Sequence, residues 1–446
     1  MPPADSSHRQ RLQQRSDELL EKLLELIERE EPLSVAAAPP GSGKTWLLLR
    51  AIHHAFRRGE RVAVATQTNA QADDVCRRLR TEFPAVPITR FIGQGGIPDV
   101  PGDVTVEGKA ARLPSGKCVV VGTTAKWGLV NLPQPFDVLL VDEAWQMAWS
   151  DFMLLGQVAE RFVLIGDPGQ IAPVVTIRTQ RWETSPRAPH VAAPDVILAD
   201  PTLAAERLQL PASRRLPHDT VELIRPFYDF EFDAWAQPGE RSVRPTRGGN
   251  EPFDGAIDLL EEGTVAALAI PTPESGPPLE CDDEVAAVAA GLAARLIDRR
   301  CLANAGEGEF AVEPAHIGIT ATHRVLLTAI QQALPSTLRS HVRVDTPERW
   351  QGLERPVMIA VHPLSGVVRP SGFDLDTGRL CVMASRHKAG LIVVARDHLS
   401  ATLDEFIPCA DQAVGRPDIT GRGYERHLAF WGSLERDGRI AHAVAR

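Results

Sequence analysis

Several short runs in this chain are apolar almost throughout, and helix-length stretches separate them. They are 33–38 (LSVAAA), 61–66 (RVAVAT), 118–122 (CVVVG), 137–141 (DVLLV), 161–165 (RFVLI), 357–361 (VMIAV) and 391–395 (LIVVA). A strand wetted on one face alternates in polarity, whereas one buried on both faces does not. The pattern therefore predicts an α/β fold with parallel sheets covered by helices. At 446 residues the chain is long enough for more than one such domain. Its 43% hydrophobic and 24% charged residues are ordinary for a folded protein and exclude wholesale disorder. No uncharged apolar run approaches the roughly 18 residues of a membrane span. The first residues carry no apolar core of a secretory signal.

Between the strands, 10–30 reads as a charged helix with Leu12, Leu19, Leu23, Leu26 and Ile27 on one stripe. Such a stripe packs on the domain behind it or pairs with a partner helix. Stretches 45–58 and 283–298 also read as helices, and the Pro- and Gly-rich 236–255 reads as a surface loop.

The chemistry is concentrated at strand ends. Ala38 to Thr45 (APPGSGKT) lies between an apolar run and a helix. Small residues there let backbone N–H groups close around phosphate oxygens, a lysine reach the terminal phosphates, and a hydroxyl meet Mg²⁺. Val138 to Gln146 (VLLVDEAWQ) puts two acids at the end of an apolar strand. Asp142 is placed to hold Mg²⁺ through water, and Glu143 to orient and deprotonate an attacking water. Leu164 to Pro173 (LIGDPGQIAP) is a third strand followed by a polar turn, from which Gln170 could sense a terminal phosphate. A plain β-turn is the rival reading for that segment.

The order of these segments resembles superfamily 1 helicases, and Gln146 after Asp-Glu-Ala-Trp resembles the 1B branch, the Upf-like and senataxin-like enzymes. The likeness runs collinearly to residue 396 through TQTNAQADD (Thr66 to Asp74), GTTAKWG (Gly122 to Gly128) and LPASRRLP (Leu210 to Pro217). It continues through ITATHR ending at Arg324, DTPERWQGLE (Asp345 to Glu354) and RLCVMASRHK (Arg379 to Lys388). The resemblance implies two RecA-like P-loop NTPase domains, at 32–200 and 201–400, after an N-terminal helix at 1–31 and before a tail at 401–446 that packs on the core. It implies ATP and Mg²⁺ as cofactors, with Lys44, Asp142, Glu143, Gln170, Arg215 and Arg386 catalytic, the two arginines as fingers. Pro40, Gly41, Ser42, Gly43, Lys44, Thr45, Gln351, Gly352 and Glu354 would bind nucleotide, and Thr45 and Asp142 the metal. Thr68, Asn69, Thr123, Thr124, His323, Arg324 and Thr346 would contact single-stranded DNA or RNA, with movement 5′ to 3′.

Two departures from the family stand out. The interval 81–118, where relatives carry an inserted domain, has room for a hairpin or two. Arg214 stands where relatives place an aromatic against the adenine, and Gln10, Gln13 and Gln14 are the only glutamines upstream of the phosphate loop. The formal charge of −10 gives no bulk attraction to a polyanion, so binding must be local. These features keep open a nucleotide-dependent switch or remodelling ATPase that grips nucleic acid or a protein without processive unwinding. Six cysteines far apart argue for reduced thiols in a cytoplasm and no structural metal. Only six of the 48 basic residues are lysine, a bias that suggests a GC-rich bacterial genome. A protein partner in repair or phage defence falls within the family's range.

Overall fold

The computed structural model describes residues 6–443 except 94, 176–177, 183, 277–280 and 408–417. By its internal contacts the chain divides into two units. One comprises Asp5–Pro168 and Ala172–Ala212; the other comprises Gly169–Ile171 and the chain from Ser213 onward.

The first unit is built on an eight-stranded sheet, with β1 Leu33–Ala37, β2 Arg61–Thr66, β3 Ile88–Phe91, β4 Thr105–Glu107, β5 Cys118–Thr123, β6 Phe136–Val141, β7 Ala159–Gly166 and β8 Glu206–Gln209. Their spatial order is β4-β3-β5-β2-β6-β7-β1-β8, and every recorded pairing is parallel. The central strands are buried on both faces, as their unbroken apolar sequences predict. Among the described residues of 81–118, β3 and β4 join the sheet edge in parallel, Thr89 opposite Thr105. Strand β8 lies beyond the expected domain boundary at 200, yet pairs with β1 from Ser34–Glu206 to Ala37–Gln209. The boundary therefore falls after Ala212. As an edge strand with one apolar residue in ERLQ, β8 has no sequence pattern to announce it. The helix Ser6–Glu28 packs on the helix Lys44–Arg57 and on β8. Leu12, Leu23, Leu26 and Ile27 are buried, so the stripe is spent within the unit.

The second unit holds a six-stranded parallel sheet ordered Arg343–Asp345, Ile317–Thr320, Arg355–Val361, His387–Arg396, Val265–Ile270, Ile440–His442. The helix Asp283–Asp298 starts at Asp282, whose carboxylate accepts from the Val285 N–H and from both Nε and Nη2 of the buried Arg396, each at 2.7 Å. The expected tail supplies an edge strand and a helix whose Phe430, Trp431 and Leu434 are buried. Within 236–255, read as a loop, Ser242–Arg244 is a strand paired antiparallel with Leu302–Asn304, and Val243 is fully buried. Its partner is some sixty residues away, beyond the reach of local pattern.

Three histidines of this unit, His362, His387 and His427, are at most 1% exposed. Burial drives His387 and His427 down to about 3 and His362 well below its ordinary value of 6.5. Above pH 6.5 neither folded nor unfolded chains protonate them. Below it the unfolded chain takes up protons that the folded one refuses, so stability falls with pH until the folded groups titrate. Each costs about 1.4 kcal/mol per pH unit in that window. Melting temperature should therefore drop steeply from pH 6.5 to 4.5, and less so in His427→Phe. A flat profile would contradict neutral buried imidazoles.

Candidate nucleotide and nucleic-acid sites

The phosphate loop follows β1. Gly41 and Gly43 take positive φ of 70° and 95°, a conformation costly for residues with a Cβ, and the helix begins at Lys44. No side chain caps this helix and its first turn holds no acid, so its N-terminal N–H groups suit an anion. Ser42 Oγ is buried without a hydrogen-bond partner among the described residues. This orphaned hydroxyl in a left-handed glycine loop fits a triphosphate.

The acids sit on the turn after β6. The Asp142 N–H donates to Ala65 O, tying the turn to β2. Glu143 adopts φ 51°, ψ 45°, unusual for a residue with a side chain and costing roughly 1–3 kcal/mol. The end of β7 holds it there: a Cβ on Gly166 would come within 2.8 Å of Ala144 N and 3.0 Å of Trp145 N. This geometry turns the Glu143 carboxylate onto Lys44, Oε2 to Nζ 2.9 Å, with both side chains nearly buried. Burial pushes the Asp142 carboxyl up to about 7; Glu143 adds to the rise and Lys44 opposes it. Such a carboxyl, short of positive charge, suits a divalent cation, and Thr45 one residue into the helix suits the same ion.

In the second unit Arg215 Nε lies 2.7 Å from Glu354 Oε2, and Lys388 pairs with the other oxygen. Burial raises the Glu354 carboxyl, but Arg215 and Lys388 outweigh it and hold it below the ordinary range. Lys388 is a partner that the site residues implied by the family resemblance do not include; the scarcity of lysine in this chain is the one sequence signal that points to it. Gly352 has φ 77°, and Gln351 Nε2 is buried without a partner among the described residues. Arg386 is 1% exposed and donates to Val382 O and the Ser385 hydroxyl. Gln170 is buried, and a Cβ on Gly378 would come within 2.6 Å of its carbonyl. Arg214 is exposed, its guanidinium 4.1 Å from the centroid of Trp235. Trp350 is fully buried and donates to Ile319 O, so it belongs to the core.

The expected nucleic-acid contacts cluster at carboxyl ends of strands. Thr66 of β2 pairs with Thr123 of β5, which brings Thr68, Asn69, Thr123 and Thr124 to one edge. Each also has a structural task. Thr68 closes a capping box with Gln71; Thr123 accepts from the Lys126 N–H; and the buried Thr124 donates to Thr66 O. Asn69 Oδ1 accepts from Arg90, a buried guanidinium paired with Asp73 at 2.7 Å. In the second unit His323 and Thr346 are half-buried and Arg324 is exposed, following adjacent parallel strands. Among the described residues no group of three His, Cys, Asp or Glu side chains could hold a metal, and the five cysteines are free. Cys409 lies outside them. No described helix is long and apolar enough to cross a membrane.

Residues 16–186 match the AAA domain family. No curated protein sequence matches the chain. A PRRSV helicase structure is similar at 16% identity and TM-score 0.42, with 82% of this chain and 52% of that chain covered. An Arterivirus nonstructural protein 10 helicase gives 16%, 0.44, 86% and 64%. The DUF1998 helicase MrfA, solved with DNA and AMPPNP, gives 11%, 0.43, 86% and 48%. This chain thus spans about half to two thirds of the length of these structures. The fold is α/β, with large parallel sheets flanked by helices in the manner of RecA-like P-loop domains.

Proposed function

We propose that the chain is a nucleic-acid-dependent ATPase of superfamily 1, a translocase or helicase on single strands. The observation that carries this reading is the left-handed glycine loop whose Lys44 meets Glu143 beside the buried Asp142. The loop N–H groups and Lys44 bind the triphosphate, and Glu143 orients water and accepts its proton. Mg²⁺, held by Thr45 and Asp142, would neutralise charge on the phosphates. Arg215 and Arg386 act as fingers on the transferring group. The strand-end threonines, Asn69, His323 and Arg324 bind a single strand through hydroxyl, amide and cationic donors, which needs no strongly basic surface. The finer placement in the 1B branch, with 5′-to-3′ movement, rests on the sequence resemblance. ATP turnover should rise with single-stranded DNA or RNA over duplex or no polymer. Indifference to every polymer would favour the switch reading, and displacement of a roadblock in the 3′-to-5′ sense would contradict the branch.

Base choice should be relaxed. Arg214, stacked on Trp235, offers a guanidinium face that does not tell adenine from guanine. Gln13 and Gln14 donate to Asp17 and Glu18 on their own helix surface. GTP should be hydrolysed within about tenfold of ATP in kcat/KM, a gap below ~1.4 kcal/mol. A preference above a hundredfold would mean that another group reads the base.

A further inference from the structure

An aromatic side chain outside the core stands among the strand-end loops of the second unit. Phe373 lies between strand Arg355–Val361 and helix Thr377–Ala384, and is 44% exposed. A lone exposed phenylalanine needs no explanation; this one is held in place. The Arg379 guanidinium lies 4.1 Å from its ring centroid. Arg379 is itself pinned by Glu348 at 2.9 Å and Asp376 at 3.2 Å, and it donates to Phe373 O. The His323 ring stands 5.6 Å away, inclined by 38°. Phe373 is thus fixed by a cation and flanked by a second flat ring.

The location matters as much as the ring. His323 follows Ile317–Thr320, Thr346 follows Arg343–Asp345, and Phe373 follows Arg355–Val361. These are three adjacent parallel strands, so all three residues follow the carboxyl ends, where open α/β sheets bind ligands. The network behind the ring reaches the same edge, because Glu348, which pairs with Arg379, lies two residues after Thr346 on the helix that Thr346 opens. The exposed Arg324, next to His323, adds a cation for a phosphate. A fixed aromatic face with donors and a cation beside it matches one nucleotide of a single strand, a base to stack and a phosphate to hold.

We propose that Phe373, flanked by His323, is a base-stacking platform for single-stranded nucleic acid, tolerant of base identity because every base has a π-face. This rests on the single-strand motor reading above. The test is fluorescence anisotropy of labelled oligo-dT and of an abasic deoxyribose-phosphate oligomer of equal length, with wild type, Phe373→Ala and Phe373→Trp. Stacking is worth about 1–3 kcal/mol per base, so Phe373→Ala should bind oligo-dT roughly tenfold more weakly and the abasic oligomer as wild type does. Phe373→Trp should restore oligo-dT binding, and turnover without polymer should be unchanged in both variants. Equal oligo-dT affinity in wild type and Phe373→Ala overturns the platform and leaves the motor reading standing. So does an equal loss on both oligomers, which would mark a structural role, or failure of tryptophan to restore binding. A wild-type chain that binds neither oligomer overturns the motor reading and the platform with it.

Discussion

In the Glu143→Gln variant, ATP turnover is expected to fall by about 10²–10⁴-fold while nucleotide affinity is retained. Glutamine keeps the shape of the side chain, so the left-handed turn braced by Gly166 survives. What goes is the carboxylate proposed to take the proton. Binding should not suffer, because losing the charge frees Lys44, paired with this carboxylate at 2.9 Å, for phosphate. Lys44→Ala should by contrast weaken affinity and turnover together. Measuring kcat alongside nucleotide Kd separates the cases. Near-normal hydrolysis in Glu143→Gln would sink its assignment as the base.

Arg215→Ala should cut kcat by about 10³-fold or more, the usual loss when an arginine finger is removed. Its guanidinium is partly exposed and shares Glu354 with Lys388, which remains to compensate the carboxylate. Folding stability should therefore change by only about 1 kcal/mol or less. Arg386→Ala is a poorer probe. At 1% exposure, removing Arg386 leaves a cavity and strips donors from Val382 O and Ser385 Oγ, so lost activity there is convincing only with an unchanged melting temperature. Wild-type turnover in Arg215→Ala would remove it from the catalytic set.

The strands β1, β2, β5, β6 and β7 were legible because burial on both faces leaves an unbroken apolar run. The phosphate loop and acidic turn were legible for a related reason: phosphate chemistry demands small residues, a lysine and carboxylates at fixed offsets from those strands. Val265–Ile270 escapes the sequence pattern because VAALAI suits a buried helix as well as a strand. Strands β3, β4 and β8 and Ile440–His442 are short strands at or next to a sheet edge and carry little pattern of their own.

Local residue order, then, was enough for the alternating α/β plan and for locating the glycine loop and acidic turn proposed to meet a triphosphate, since both are imposed within a few residues of chain. It could not place Glu354 between Arg215 and Lys388, Arg90 under Asn69, or Arg379 behind Phe373. Those partners, except the last, lie some twenty to 140 residues apart. In every case the pairing depends on strand order and on how loops fold back at a sheet edge, where burial decides which charges must find each other.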